Sequence, residues 1–364
     1  MNAQIASAGD SAPPYAVKAS PGFAAWLHAS NTALAVTTYQ IGKLFLIGAP
    51  TPDRLSVTER TFQRCLGVAA VGTSLYLAGV NNILRFENVV PPGQTLEGHD
   101  AVYVPQAAWY TGDVFAHDMG ALPNGRPLFI NTLFSCLATV DEQNSFRPVW
   151  QPRFISALRP EDRCHLNGLA MQDGIPRYVT VAAQTDTERG WRDRRVGSGS
   201  VIDIASGEVV ATGLTMPHSP RLHDGRLYVC NAGTGEIGEI ELASGRFNPI
   251  AACPGFARGL AFVGGHLLVG LSLPRQHRDF SGLPLDERLK QAGQEPRCVI
   301  QAIDPQWGVA EHWIELGGVV RELYDIVEIP NLRSPMVVGF AGDQINRLIR
   351  RGAPASLAEL LSTP

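Results

Sequence analysis

Three of the nine histidines in this 364-residue chain, His117, His165 and His218, open segments of one common design. Each segment is a short apolar strand, a turn carrying glycine, and a second strand. Neutral imidazoles from three rigid strands could hold one divalent transition metal, Zn²⁺, Fe²⁺ or copper, with positions left open for water or substrate. Arg258 and Tyr324 open two further segments of the same kind. An arginine there would anchor an anionic group or stabilise a developing oxyanion, and a tyrosine would act as general acid or base. Asp118 and Asn167 follow the histidines closely and could orient a ligand. Those four are the candidate catalytic residues. Arg221, Trp191, Arg192 and His277 are the candidate substrate-binding residues.

The elements that must position these side chains are set by an internal repeat. Glycines at 125, 174, 225 and 265 follow the segment openings by seven to nine residues. Asn124-Gly125, Asp173-Gly174 and Asp224-Gly225 favour tight hairpins, because both central residues must reach positive φ. A second strand pair follows, as in Ser200–Ala205 and Glu208–Thr212 around Ser206-Gly207, or Gly238–Ala243 and Arg246–Ile250 around Ser244-Gly245. Four short strands recurring every 40 to 66 residues, with a further unit starting near Leu66, are the pattern of an all-β β-propeller with four antiparallel strands per blade.

The count is six blades, and becomes seven if the two termini form separate blades. In the six-bladed form the last blade combines C-terminal strands at Tyr324–Ile329 and Met336–Phe340 with N-terminal strands at Leu34–Tyr39 and Lys43–Gly48. Such closure removes the open sheet edges. The domain reading is a tail with a short helix near Pro21–Ser30 over residues 1–30, the propeller over 31–350, and a C-terminal tail over 351–364 containing a helix at Ser356–Leu361.

The innermost strand of each blade lines the channel, so the segment openings converge on one mouth. Two long connections, 184–199 and 274–297, fall between second and third strands and belong to that same face. The first carries Arg189, Trp191, Arg192, Arg194 and Arg195, and the second Arg275, His277, Arg278 and Phe280, with a helix expected over Leu285–Ala292. Long loops are where binding function concentrates. These groups would cover an acidic or aromatic substrate, or dock a protein partner; the plain alternative is two solvated loops.

Composition bounds the rest. Apolar residues make up 45% of the chain and charged residues 18%, which is globular, while 37 Gly and 26 Pro argue against a helical bundle. The net charge of −4 gives no general attraction to nucleic acid or an anionic membrane. No signal peptide or membrane-spanning run is read, so the expected compartment is the cytoplasm. The six cysteines form no CxxC pair and read as buried free thiols.

The segments Thr37-Thr-Tyr-Gln-Ile-Gly-Lys-Leu-Phe-Leu-Ile-Gly, Asp162-Arg-Cys-His-Leu-Asn-Gly-Leu-Ala, Met216-Pro-His-Ser-Pro-Arg and Gly255-Phe-Ala-Arg-Gly-Leu-Ala-Phe resemble a bacterial family of uncharacterised propeller-like proteins. The resemblance covers about Gly22 to Arg350 and implies a propeller fold; it brings no reaction or residue roles. His117, His165, His218, Arg258 and Tyr324 are also similar in type and blade position to the lyase domain of peptide-amidating enzymes. That six-bladed propeller sets three histidines on zinc beside a Tyr and an Arg. This is a likeness of site design without an aligned motif.

The functional expectation is a propeller enzyme with one divalent metal on His117, His165 and His218, acting on a small anionic or peptide-derived substrate. Lyase, isomerase or hydrolase chemistry would fit Zn²⁺, and oxygenation would fit Fe or Cu. The alternatives are a non-catalytic propeller scaffold that recruits a protein through its basic loops, and a metal-free sugar or lactone hydrolase using Asp118 or Asp325.

Overall fold

A computed structural model of the chain describes residues 15–274, 282–354 and 356. His277 and the other loop residues Arg275, Arg278 and Phe280, together with most of the helix expected over Ser356–Leu361, lie outside the described residues.

The strands form six antiparallel blades of four strands around a channel, a six-bladed β-propeller rather than a seven-bladed one. Blade 1 is closed by both ends of the chain. Its innermost strand, Ile326–Pro330, pairs with Thr32–Thr37, followed outward by Lys43–Thr51 and Arg54–Thr61. From inside to outside, blade 2 is Val68–Val71, Ser74–Ala78, Asn82–Asn88 and Ala101–Tyr110. Blade 3 is Ala116–Ala121, Pro127–Asn131, Cys136–Thr139 and Arg147–Trp150. Blade 4 is Leu166–Gln172, Ile175–Val181, Gly199–Asp203 and Val209–Leu214. Blade 5 is Pro217–His223, Arg226–Asn231, Glu236–Glu241 and Arg246–Ala252, and blade 6 is Phe256–Val263, His266–Ser272, Val299–Asp304 and Val309–Leu316.

Two outer edges carry a fifth strand. Val17–Ala19 pairs antiparallel with the last strand of blade 6, and Pro335–Val337 pairs parallel with the last strand of blade 2. The segment at Met336 therefore adds to blade 2 and not to the closing blade, which corrects its sequence placement. Residues 17–30 also join the body, because the helix Phe23–Ala29 buries Phe23 and Leu27 among apolar residues of blades 1 and 6. Both added strands cover backbone groups that an open edge would leave available for aggregation.

The burial pattern shows why the inner strands form. All six residues of Ala116–Ala121 are buried, whereas the outer strand Ala101–Tyr110 alternates over its second half. A strand covered on both faces tolerates a continuous small and apolar run, and one half-exposed to water needs period two. Apolar side chains of neighbouring blades then interlock. Leu128, Ile130 and Leu137 of blade 3 pack on Leu166, Leu169, Val179 and Val181 of blade 4. Each such fully buried aliphatic contributes roughly 1.5–3 kcal/mol. Gly168 lets blades 4 and 5 meet: a Cβ there would lie 2.3 Å from Pro220 Cδ and 2.4 Å from Thr180 Oγ1.

The channel is bridged by charge. Arg221 donates to both carboxylate oxygens of Asp118 at 2.8 and 3.3 Å, to Asp325 at 3.1 Å, and to the carbonyls of Leu169 and Pro220 at 3.0 and 2.9 Å. Asp118 accepts from the Leu169 and Met119 amides, and Asp325 from the Val68 and Ile326 amides. This group of three ties together the inner strands of blades 1 to 5. Among the described residues, no helix is long and apolar enough to cross a membrane.

Candidate functional site

The three blade-opening histidines meet. One ring nitrogen from each of His117, His165 and His218 lies within 4.8 Å of those of the other two, and all three residues are buried. Ring centroids are 4.8 Å apart for His117 and His165, and 6.3 Å for His117 and His218.

Local backbone geometry fixes their tautomers. Phe115 and Met216 stand two residues before His117 and His218, and both adopt positive φ, 54° and 49°. Non-glycine residues rarely take that conformation. It turns each preceding carbonyl back onto the imidazole: His117 Nδ1 lies 3.0 Å from Phe115 O, and His218 Nδ1 lies 2.8 Å from Met216 O. Thr132 Oγ1, which donates to Leu166 O, also accepts from His117 Nδ1 at 2.8 Å. His165 Nδ1 lies 3.1 and 3.2 Å from the two carboxylate oxygens of Asp162. Carbonyls and carboxylates only accept, so Nδ1 carries the hydrogen in all three rings and the lone pair of the neutral imidazole sits on Nε2. His165 Nε2 is buried with no hydrogen-bond partner among the described residues. Burial above all, with the positive charge of Arg258 adding to it, holds the pKa of His117 well below the ordinary imidazole value. That ring is neutral, as metal ligation requires.

A cavity of about 920 Å³ opens at this mouth, and His117 and His165 line it. One side is aromatic. Tyr324 stacks on Tyr39 (centroids 5.7 Å, 18° between planes) and lies 5.6 Å from the His117 ring, with Phe115 5.5 Å from it on another flank. Trp191, from the 184–199 connection, stacks on His165 at 4.1 Å. Arg258 also lines the cavity. Its guanidinium lies 4.9 Å from the Tyr324 ring and 3.7 Å from Glu322 Oε1, and burial lowers its pKa.

The expected site residues thus separate. His117, His165, Arg258, Tyr324, Trp191 and Arg192 share the cavity wall, and His218 lies beside His117 within the same cluster. Asp118 and Arg221 do not join them. They form the channel bridge, and Arg221 opens instead onto a second cavity of about 380 Å³ at the opposite mouth. Asn167 is held in the inner strand, where its side-chain oxygen accepts from Thr180 Oγ1 at 2.7 Å. Sequence reasoning missed Tyr39, Phe115, Thr132, Asp162 and Glu322, which all line the cavity. Tyr39 and Asp162 belong to the segments that carry the family resemblance, and Asp162 stands three residues before His165, so a signal was present for both.

The 184–199 connection is built into this mouth. Trp191 is 2% exposed, Arg189 N donates to Glu161 O at 3.0 Å, and Arg163 pairs with Asp186 at 2.6 Å. The second connection contributes the helix Pro284–Ala292, close to its sequence placement, which buries Leu285 and Leu289 against the same cluster as Trp191.

Fold and site define a six-bladed propeller with a buried three-histidine cluster at one channel mouth. Residues 21–338 match the family described as "Domain of unknown function (DUF4915)", and the chain belongs to that family. No curated protein matches the chain. Among solved structures, a protein of unknown function from Bacteroides caccae is similar, with 15% identity and a TM-score of 0.50 over 82% of this chain and 98% of that one. A chain of a nidogen/laminin complex is similar at 12% identity and a TM-score of 0.53, over 82% of this chain and 99% of that one. At these identities the likeness concerns the fold alone.

Proposed function

We propose that His117, His165 and His218 hold one divalent transition metal through Nε2, and that the chain is a metal-dependent enzyme acting on a small anionic or peptide-derived substrate in the cavity above it. The observation that carries this reading is the common commitment of the three Nδ1 hydrogens. It leaves Nε2 as the ligating atom of each ring in one buried cluster. For His165, whose Nε2 is a buried acceptor without a partner among the described residues, the unmet hydrogen bond costs about 1–3 kcal/mol, and a bound cation removes that cost. Bonds of about 2.0–2.1 Å place neighbouring ligand nitrogens about 3.4 Å apart. One ring nitrogen of each histidine already lies within 4.8 Å of the other two, at most roughly 1.4 Å beyond that spacing.

The chemistry available follows from the surroundings. Three protein ligands leave further positions facing the cavity, as catalytic metal sites do. Arg258 supplies positive charge for an anionic group or a developing oxyanion, and the Tyr324 hydroxyl is a candidate proton donor or acceptor in the same cavity. Lyase, isomerase or hydrolase chemistry would fit Zn²⁺ at such a site, and oxygenation would fit Fe or Cu. Elemental analysis of the purified chain tests the reading. About one equivalent of Zn, Fe or Cu, lost in His165→Ala while the fold is retained, is the expected result. A metal-free chain that takes up none of these ions on titration overturns it.

A further inference from the structure

We infer that Asp162 is a positioning residue of the metal centre, holding His165 and the cavity wall residue Trp191 in one clamp; the inference rests on the metal reading above. Both oxygens of the Asp162 carboxylate face His165 Nδ1, at 3.1 and 3.2 Å. One of them also accepts from Trp191 Nε1 at 3.0 Å. The Trp191 ring in turn lies flat on His165, centroids 4.1 Å apart and 27° between planes. Two side chains from separate stretches of chain, Asp162 and Trp191, therefore define a single orientation of the His165 imidazole.

His117 and His218 are oriented differently, each by a backbone carbonyl two residues upstream. His165 Nδ1 instead faces the Asp162 carboxylate. A carboxylate in that place raises the basicity of Nε2, fixes the tautomer and restrains the ring, and such outer groups typically change metal affinity 10- to 100-fold. The backbone accommodates the arrangement at a cost, since Asp162 and His165 both have positive φ, 46° and 50°. Departures of that kind at non-glycine residues are retained where the surroundings over-determine them. Here Asp162 N donates to Leu133 O at 2.9 Å, Arg163 binds Glu161 and Asp186, and Thr185 Oγ1 donates to Arg163 O. The clamp also gives the 184–199 connection a function: it delivers the indole that backs a ligand histidine.

Competition of wild type and Asp162→Asn against a chromophoric chelator for Co²⁺ and Zn²⁺ tests the inference. Asn retains an acceptor and removes the charge, and a 10-fold or greater loss of affinity is expected, with a changed Co²⁺ absorption spectrum and with partial recovery in Asp162→Glu. Equal affinity and an unchanged spectrum in Asp162→Asn overturn the inference and leave the metal reading standing. Absence of binding by the wild type overturns the metal reading and this inference with it. A measurement on the unmutated chain covers the case in which the variants do not fold. Long-range ¹⁵N correlation of the histidine rings must show His165 protonated on Nδ1 before metal is added, and an Nε2–H tautomer refutes the clamp.

Discussion

Replacement of Arg221 by methionine removes a cation that the inner strands of five blades share. Asp118 and Asp325 would remain, with side chains 3% exposed, facing a thioether that offers no donor. Breaking a buried charge pair by deleting one partner costs about 3–5 kcal/mol. The carbonyls of Leu169 and Pro220 lose a donor as well. The pH dependence is a sharper signature than the loss itself. Burial, then the charge of Asp118, pushes Asp325 up to about 7, against the opposing pull of Arg221. A carboxyl whose folded pKa is raised binds its proton more tightly in the folded chain. Its stabilising contribution is therefore present below the unfolded value near 3.8 and is lost as pH rises to about 7. In wild type that decline ends near pH 7. Without Arg221 the folded pKa rises further, and stability continues to fall above pH 7 at about 1.4 kcal/mol per pH unit. Urea unfolding of wild type and Arg221→Met at pH 5, 7 and 8 measures both effects. The expected result is a loss of about 3–5 kcal/mol at pH 7 that grows by about 1.4 kcal/mol at pH 8. A loss under about 1 kcal/mol, or one that does not change from pH 7 to 8, would refute the bridge as the hub of the fold.

Other outcomes follow from the same contacts. Trp191→Ala removes a nearly fully buried indole, its stack on His165 and its bond to Asp162; thermal and urea melts should show a loss of about 3–5 kcal/mol, and an unaltered melt would mean that the connection is not packed. Truncation before Ile326 deletes the inner strand that pairs with Thr32–Val36, so calorimetry should show no cooperative transition. A sharp transition in the truncated chain would contradict closure by the two ends. The six buried thiols have pKa values raised by burial, to about 12 for Cys136, Cys164, Cys253 and Cys298. An aromatic disulfide reagent should therefore modify them only after unfolding, and rapid labelling of Cys164 in the native chain would contradict its burial.

The blade repeat was legible because hairpin turns obey local rules. Gly125, Gly174, Gly225 and Gly265 all take positive φ, from 73° to 80°, where the dipeptides placed them. The convergence of His117, His165 and His218 was legible for the same reason, since equal position within a repeat becomes proximity under radial arrangement. What was hidden depends on pairing across the ring. Arg221 read as a substrate contact because its two acidic partners lie 103 and 104 residues away, and no local pattern encodes which charges share a channel. Met336 read as part of the closing blade because apolar strand residues do not specify an edge, and the parallel pairing with Ala101–Tyr103 arises only after blade 2 exists. Asp162 and Tyr39 lay in strongly patterned segments, but their roles emerge only from the hydrogen bond and the stacked ring that reach them from elsewhere.

Anomalous diffraction from a crystal of the wild-type chain grown or soaked with Zn²⁺ tests the central claim most directly. The account predicts one strong peak at the zinc edge, about 2.0–2.1 Å from Nε2 of each of His117, His165 and His218, with an open side toward the cavity. A crystal saturated with Zn²⁺ that shows no peak among those three rings, or a peak bound to other residues alone, would contradict it.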